Sequence, residues 1–515
     1  MKGDLVRRST PWLAAVVLAA TVGCGAHAAP QVAPTGPPSS KEAHAALQDL
    51  QAQLTTVFNA PVMAHAVWGV HVRSLDRGDV LFAQNANKLM MPASNMKILT
   101  LAATAEQLGW DYRFPTTLET VGAIADGTLR GDLIVRGGGD PTIGTRDKRN
   151  DLAFDEWTAA LKAAGISSID GRIVGDDQAF DDEGIGPGWS WDYLEAGYAA
   201  PIGALQYNEN TADVLIAPGT AVGDAAVVRI SPGAGYTLIN RVVTRDPASQ
   251  EEPRGPITIQ RRIDSPVLVI SGSIPLRSEE MRRTVAVLNP TLYFAQSLKD
   301  ALIAHGITVT GDAVDIDDIA PEMTDGGSHD RHVLVTTQSA PLREVGTVLM
   351  KVSQNQYAET FLKSIGAARG GLGTTNAGRR AAAEVFTGWG IPADGYVMSD
   401  GSGLSRYNYT APETITTILA RMHADARHRD AFVATLPIAG RDGTISTRMR
   451  GTPAEGNAVA KTGSIANVRS LSGYVKTRNG ETLAFSIIAN DFVIPSATVT
   501  WIADLAVEIL ANFRR

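Results

Sequence analysis

The sequence has almost no cysteine: Cys24 is the only one among 515 residues. A chain with a single cysteine cannot form an internal disulfide, so a hydrophobic core must hold the fold together. Hydrophobic residues make up 44% of the chain, which is enough for a sizeable core. The length favours two or three domains.

The sequence also lacks a basic excess, since its net charge is -8. Nucleic-acid-binding proteins usually carry a basic face, so no nucleic-acid partner is expected. The nine histidines form no His-Glu-x-x-His or paired spacing, and no Gly-x-Ser-x-Gly elbow occurs. These absences argue against a metal site and against an α/β-hydrolase, and no cofactor is predicted.

Long apolar runs are absent except near the N-terminus. Residues 1–28 combine positive charge, a short apolar run at 12–22 and a small-x-small site at 26–28. This pattern predicts a secretory signal peptide and a mature protein in the periplasm or outside the cell.

The segment around Cys24 half-resembles a bacterial lipoprotein site. Two interpretations stay open: the cysteine carries a lipid anchor, or it is discarded with the signal peptide. Thr21 stands where a leucine is expected, which favours the second. Residues 29–43 are rich in Pro, Ala and Ser and predict a flexible linker.

The pattern of apolar residues in the remaining chain changes twice. Residues 44–109 and 331–515 contain amphipathic helical patterns together with a few strands, whereas short strand-like runs dominate 110–330. The pattern predicts an α+β protein in which one or two β-rich domains, at 110–330, interrupt a domain formed by the two flanking segments.

One short segment, Met91 to Thr100, places a serine and a lysine three residues apart at the start of a predicted helix. Ser94 and Lys97 would then share a helix face. A serine needs a base to become a nucleophile, and a lysine whose pKa is lowered by burial can be that base. The alternative is an ordinary N-cap followed by a solvated lysine, and chance alone yields about one such spacing in a chain of this length.

Two further short motifs make the catalytic interpretation stronger. Ser353 and Asn355 follow a helix-like run, and Lys461-Thr462-Gly463 ends a strand-like run. Each motif alone is an ordinary loop or strand end. In the order Ser-x-x-Lys, Ser-x-Asn, Lys-Thr-Gly they form a set with one acyl-transfer mechanism.

With these motifs the chain resembles the class C low-molecular-mass penicillin-binding proteins, a family of D-alanyl-D-alanine carboxypeptidases and endopeptidases. Lys97 and Ser353 are separated by 256 positions (353 − 97), where that family carries a large insertion. Three further stretches are similar to the family: 137–141, 187–191 and 400–406. Gln354 departs from it, because Asp or Asn is more usual there.

The resemblance implies a transpeptidase-like domain, in which helices and a helical subdomain pack on an antiparallel sheet, at 44–109 and 331–515. It also implies a secreted serine carboxypeptidase/endopeptidase that cleaves peptidoglycan stem peptides through an acyl-enzyme. β-Lactam antibiotics would acylate it covalently. Peripheral association with a membrane stays open.

The resemblance implies a role for each motif residue. Ser94 would be the nucleophile, Lys97 its base and Ser353 a proton relay to the leaving amine. The substrate-binding residues would be Asn355, Lys461, Thr462, Gly463 and Ser464, with Gly463 leaving room for substrate along the strand. The backbone N–H groups of Ser94 and Ser464 would form the oxyanion hole.

Several alternatives accompany this prediction. A serine β-lactamase would need a deacylating base, and no residue is clearly placed for that role. A wall-binding scaffold with an idle site is the third possibility. The loop 400–405 is either a wall of the cleft or a tight connection, and the acidic run 176–182 either recognises a substrate amine or is a solvated turn.

Overall fold

The structure is a computed structural model that describes residues 40–146, 149–231, 233–249, 254–262, 265–319 and 331–515. The predicted signal peptide, Cys24 and most of the predicted linker lie outside the described residues. Within those ranges, no helix has the length and apolar character needed to span a bilayer.

Helices occur in every part of the described chain. They are α1 (Ser40–Phe58), α2 (Met96–Leu108), α3 (Arg149–Ala163), α4 (Pro290–Ala304), α5 (Leu342–Lys351), α6 (Asn355–Ala367), α7 (Thr375–Gly388), α8 (Pro412–Ala424), α9 (Arg429–Thr435) and α10 (Ser496–Asn512).

Strands are concentrated in the middle of the chain and at its C-terminal end. They are β1 (Val67–Ser74), β2 (Val80–Gln84), β3 (Pro115–Thr120), β4 (Ala123–Ala125), β5 (Thr128–Arg130), β6 (Leu133–Gly137), β7 (Ser168–Ile169), β8 (Ile173–Asp176), β9 (Thr211–Ala217), β10 (Val227–Ile230), β11 (Thr237–Arg245), β12 (Thr258–Arg261), β13 (Val267–Pro275), β14 (Met281–Ala286), β15 (Thr308–Val309), β16 (Ala313–Asp315), β17 (His332–Gln338), β18 (Tyr396–Val397), β19 (Tyr409–Thr410), β20 (Val459–Ile465), β21 (Val468–Lys476) and β22 (Thr482–Asn490).

A five-stranded antiparallel sheet joins the two ends of the chain, in the order β2-β1-β22-β21-β20. Successive side chains of a strand point to opposite faces. Phe485 and Ile487 of β22 therefore pack with α1 and α10 on one face, whereas Ala484 and Ile488 pack with the helices on the other. β20 is left at the edge, where it borders the helical subdomain.

The helical subdomain is centred on α2. Ten consecutive residues of α2, from Met96 to Ala105, are buried. A helix that is buried all round lies inside a core, and α2 packs among α5, α6, α7, α8 and α9. The start of α2 is thus held rigidly at the edge of the sheet.

The middle of the chain forms separate sheets. A five-stranded sheet (β16-β8-β6-β3-β17) and a four-stranded sheet (β15-β7-β5-β4) share a core with α3 and α4. Two three-stranded sheets, β10-β9-β14 and β11-β13-β12, enclose a second core. The mixture of helices and mainly antiparallel sheets agrees with the predicted α+β class.

The predicted boundary of the inserted region at residue 330 lies just before β17. β17 lies after that boundary, yet it pairs antiparallel with β3 from Thr120 to Pro115. The chain returns to the helical subdomain only at α5. A short strand that closes a sheet of the insertion has the same local pattern as a strand of the flanking domain, so the boundary stays a prediction.

Candidate active site

Ser94 lies in a 3-10 turn, Ala93–Asn95, immediately before α2 rather than in the α-helix itself. The turn is fixed to the edge strand through Asn95, whose Nδ2 donates to Lys461 O at 2.8 Å and whose Oδ1 accepts from Ser472 Oγ at 2.6 Å. Ala93 has φ 46°, a conformation that L-residues rarely adopt. Backbone strain of this kind concentrates at functional sites.

Lys97 lies behind Ser94 and is completely buried. Its Nζ lies 2.9 Å from Ser94 Oγ, 2.6 Å from Asn355 Oδ1 and 2.8 Å from Ser402 O. Burial lowers the pKa of Lys97 to about 7, and the negative charges of Asp400 and Glu359 oppose that shift. Lys97 is therefore available as a free amine near neutral pH.

The three partners of Lys97 fix the direction of its lone pair. A neutral amine has two hydrogens and one lone pair, and neither Asn355 Oδ1 nor Ser402 O can donate. The orientation of the Asn355 amide is set by its Nδ2, which donates to Tyr198 O at 2.7 Å. The two hydrogens of Lys97 satisfy these oxygens, and the lone pair is left facing the Ser94 hydroxyl, which has a hydrogen to give.

Ser353 lies on the opposite side of Ser94, between α5 and α6, with φ 64°. Its Oγ accepts from Lys461 Nζ at 2.8 Å, whereas Lys97 bonds to the neighbouring Asn355. Ser353 thus contacts the second lysine of the site. If Ser353 relays a proton, as predicted, it would exchange that proton with Lys461.

Lys461 is also completely buried, and its Nζ donates to Ser353 Oγ and to Thr462 O, each at 2.8 Å. Burial and the charge of Lys97 both lower its pKa well below the usual value. Within the described ranges, no ion pair joins Lys461 to a carboxylate. The surroundings that the chain itself provides therefore disfavour the charge of Lys461, and a nearby anion would favour it.

Gly463 permits a close approach of β20 to the Ser94 turn. A Cβ at this position would lie 2.6 Å from Pro92 O and 3.0 Å from Ser94 N, and would collide with Ser470 Oγ. The absence of a side chain therefore serves the contact between strand and nucleophile. The predicted reason for this glycine, room for substrate along the strand, stays a prediction.

The motif residues meet at the mouth of a cavity of about 700 Å³. Tyr193 and Tyr198 of the inserted region and Leu404 of the 400–405 loop also border it. The predicted site residues that line it are Ser94, Ser353, Asn355, Thr462, Gly463 and Ser464. Both lysines lie just behind this lining.

The 400–405 loop borders the cleft through Leu404 and contacts Lys97 through Ser402 O, as the first of its two interpretations expects. Gly403 has φ +84° and lies so close to Ala93 O that a Cβ would collide with it. Sequence analysis did not identify Glu359, whose carboxylate binds this loop from α6. Its position one helical turn after Asn355 was the only available signal.

The inserted region also touches the Ser353–Asn355 motif. Glu209 accepts a hydrogen bond from the Gln354 side chain and forms an ion pair with Arg146 at 2.5 Å. Asn208, Glu209 and Asn210 all have positive φ, so this turn holds Glu209 in an unusual backbone conformation. Sequence analysis did not predict these contacts.

The acidic run 176–182 lies outside the cavity lining. Asp176 is buried against Arg331, and Asp181 pairs with Lys363 at 2.5 Å. Asp177, Asp315 and Asp317 have oxygens within 4.8 Å of one another, the kind of grouping that can hold a cation. Burial raises the pKa of Asp177 to about 6, and the side chain of Thr291 donates to it at 2.5 Å.

Comparison with known proteins identifies a family and a fold. Residues 50–512 match the model of the D-Ala-D-Ala carboxypeptidase 3 (S13) family. A D-alanyl-D-alanine carboxypeptidase of Actinomadura sp. (strain R39) is 33% identical over 458 residues, which cover 87% of this chain and 82% of that protein. A penicillin-sensitive carboxypeptidase A of Dictyostelium discoideum is 26% identical over 453 residues, 84% of each chain.

Among solved structures, penicillin binding protein 4 (dacB) of Haemophilus influenzae is similar along most of its length. The TM-score is 0.77 at 25% identity, and the match covers 91% of this chain and 99% of that chain.

Proposed function

The chain belongs to the D-Ala-D-Ala carboxypeptidase 3 (S13) family of serine-type peptidases, and we propose that Ser94 carries its acyl-enzyme. The finer parts of the proposal are that the protein is exported, that it also cleaves cross-linked peptides as an endopeptidase, and that β-lactams acylate it. The observation that carries the assignment of residues is the lone pair of Lys97, which the surrounding acceptors direct at Ser94 Oγ.

Acylation would begin when Ser94 Oγ attacks the carbonyl carbon of the penultimate D-alanine. The hydroxyl proton passes to Lys97 Nζ as the new C–O bond forms. The carbonyl oxygen becomes negative and is received by the backbone N–H groups of Ser94 and Ser464. Losing one such donor costs about 3 kcal/mol in other serine hydrolases.

Collapse of this intermediate breaks the C–N bond and requires a proton on the leaving amine. Ser353 would supply it from its hydroxyl and be reprotonated by Lys461, which donates to it at 2.8 Å. In deacylation, water would attack the acyl carbon and pass its proton through Ser353 to Lys461, which the first step left deprotonated. The ester C–O bond then breaks, and Lys97 returns its proton to Ser94 Oγ. Over the full cycle one water is consumed and both lysines regain their starting protonation.

Substrate would lie along the exposed edge of β20, in the manner of an added strand. Its terminal carboxylate would approach Lys461 and Thr462, whose Oγ1 is 2.8 Å from Thr444 Oγ1 at the cleft wall. A nearby anion raises the pKa of a buried lysine, so binding of the carboxylate would restore the charge of Lys461. The free carboxylate of D-alanine would in this way be selected.

β-Lactam acylation is proposed because the same attack opens a lactam ring whose leaving amine stays tethered. The penicillin-sensitive relative from Dictyostelium discoideum supports this part of the proposal. Endopeptidase action needs only a larger amine component, and the open cleft of about 700 Å³ is compatible with one.

The test is incubation with labelled penicillin followed by intact-mass measurement and peptide mapping. We expect one adduct on Ser94, its loss in Ser94→Ala and a strongly slowed reaction in Lys97→Ala. Ser167→Ala, which removes an exposed serine of the inserted region, is the matched control and should react like the wild type.

An unmodified wild-type chain would contradict the assignment of Ser94. Rapid turnover of a chromogenic cephalosporin would instead indicate a β-lactamase. Release of D-alanine from a pentapeptide and cleavage of a cross-linked dimer should both disappear in Ser94→Ala. Export is checked by the mass of the mature chain, which should begin after Ala28.

A further inference from the structure

Two buried carboxylates lie behind Lys97 that the proposed mechanism does not use. Glu359 of α6 is 4% exposed, and Asp400 of the 400–405 loop is completely buried. Burying a charge is costly unless hydrogen bonds compensate it. Their hydrogen bonds therefore show what each carboxylate does.

Asp400 is committed to folding its own loop. Its Oδ1 accepts from Gly403 N at 2.7 Å and from Asn408 Nδ2 at 2.6 Å. Its Oδ2 accepts from Ser405 N at 2.6 Å and from Trp189 Nε1 at 2.9 Å. With these bonds Asp400 sets the shape of the loop.

Glu359 instead attaches that loop to the helix that begins with Asn355. Its Oε2 accepts from Gly401 N at 2.8 Å and its Oε1 from Ser402 N at 2.7 Å. Ser402 O, in the same short segment, accepts from Lys97 Nζ at 2.8 Å. One helical turn of α6 thus fixes the two acceptors of Lys97. Asn355 accepts from Lys97 itself, and Glu359 holds the segment that contains Ser402 O.

The hydrogen bonds also indicate the charge of Glu359. Both of its oxygens accept from backbone N–H groups, an arrangement that an ionised carboxylate satisfies and a protonated one does not fully use. Burial and the charge of Asp400 raise the pKa of Glu359 above its usual value, and hydrogen bonds from the Ser402 side chain and from the Gly401 and Ser402 amides offset only part of that rise.

We propose that Glu359 is a positioning residue for acylation, which holds Ser402 O against Lys97 Nζ and places a carboxylate behind that base. The proposal rests on the assignment of Lys97 as the base of Ser94. Glu359 touches neither substrate nor Ser94, so its effect passes through Lys97.

The sign of the effect follows from the charges that face Lys97. These are Asp400 of the loop, Glu359 of α6 and Lys461 of β20. The two carboxylates raise the pKa of Lys97 against the effect of burial. Removing the charge of Glu359 lowers that pKa, so the free amine persists to lower pH.

The experiment measures the second-order rate of acylation by a fluorescent penicillin as a function of pH. In the wild type, the rate should fall as the pH drops through the pKa of Lys97, about 7. In Glu359→Gln this acid limb should move to lower pH by about one unit, the usual size of one nearby charge. The rate at the plateau of the pH profile should fall as well, because glutamine has one acceptor oxygen and one of the two backbone N–H groups of the loop loses its partner.

Two further variants separate charge from structure. Glu359→Asp keeps the charge but shortens the side chain, so its acid limb should stay in place while its plateau falls. Thr100→Val removes a hydrogen bond of 2.6 Å to Gly401 O and loosens the same loop without changing any charge. Its acid limb should also match the wild type.

An unshifted limb in a folded Glu359→Gln, or an equal shift in Thr100→Val, would overturn the proposal. If Glu359→Gln does not fold, Glu359→Asp remains decisive, since a shifted limb with the charge retained would contradict us. Failure of the proposed function would look different: the wild type itself would carry no adduct on Ser94.

Discussion

The two lysines of the site are equally buried but have different surroundings. Lys97, on the interior side of Ser94, faces two carboxylates and bonds to two oxygens that cannot donate. Lys461, on the edge-strand side, bonds to a hydroxyl and a backbone carbonyl, and burial and Lys97 both lower its pKa.

This difference shows how one amino acid can serve two purposes in one site. On the interior side, fixed negative charges keep the pKa of the amine near neutrality, where proton transfer in both directions is easy. On the edge side, the compensating charge must arrive with the ligand. The interior lysine is thus prepared to take the proton of Ser94, and the edge lysine to bind an anion and to return a proton to Ser353.

Replacing each lysine by arginine should give the largest effects on the acylation rate and tests whether the two lysines have different roles. Arginine stays protonated in proteins and cannot act as a base. Lys97→Arg should therefore slow acylation by about 10²–10⁴-fold, the range for loss of a general base. Rates with fluorescent penicillin and intact mass give the measurement.

Lys461→Arg should lose less activity than Lys97→Arg, because arginine keeps the charge that binds the carboxylate and loses only the proton donation to Ser353. The variant should also lose the alkaline limb of the pH profile. Because Lys461 must be charged and its pKa is lowered, wild-type kcat/KM should fall with rising pH well below pH 10.5. The guanidinium stays charged, so that fall should be absent. Equal losses in the two variants, or an alkaline limb that persists in Lys461→Arg, would contradict the division of roles.

A methyl group on Gly463 should disturb the edge side alone. Its Cβ would lie 2.6 Å from Pro92 O, so β20 must move away from the Ser94 turn. We expect acylation to fall about 10²-fold, as when an oxyanion donor is lost, with thermal stability changed less. Gly388→Ala, at the end of α7 with open space around it, is the control that should leave the rate unchanged.

Loss of the contact between Glu209 and Gln354 should have the smallest effect on acylation. It should disturb the surroundings of Lys97 and of Lys461 together. Gln354 lies between Ser353 on the edge side and Asn355 on the interior side. Glu209→Ala and Gln354→Ala should each slow acylation about ten-fold, since a hydrogen bond to a charged group contributes roughly 1.5–3 kcal/mol.

A double-mutant cycle decides whether that contact acts as one unit. If it does, the double variant should be no slower than either single variant. Additive losses would mean that the two side chains act separately. Ser167→Ala again serves as the control within the inserted region.

Sequence patterns predicted the family, the α+β class and the penicillin-binding-protein-like fold, and the comparisons confirm all three. Local signals were sufficient for this. The helix predicted to start in the segment from Met91 to Thr100 is α2, which begins directly after the Ser94 turn. The roles of the individual site residues stay predictions that the experiments above test.

What sequence patterns did not provide were contacts between distant segments. Ser402 acts through a backbone carbonyl, which leaves no trace in residue type. Glu359 looks like any polar residue of an amphipathic helix until its partners are known. The positive φ values from Asn208 to Asn210 occur without a glycine, so the usual turn signal was missing.

Helix α6 has a consequence for protein engineering. Asn355, Glu359 and Lys363 follow one another at four-residue intervals, and they bind the amine of Lys97, the 400–405 loop and Asp181 of the inserted region. A chimaera whose insertion lacks a carboxylate at the position of Asp181 would leave Lys363 as a buried cation without that anion. Grafted insertions should therefore be exchanged as a matched pair with this helix face, and libraries that vary the two independently should contain few active clones.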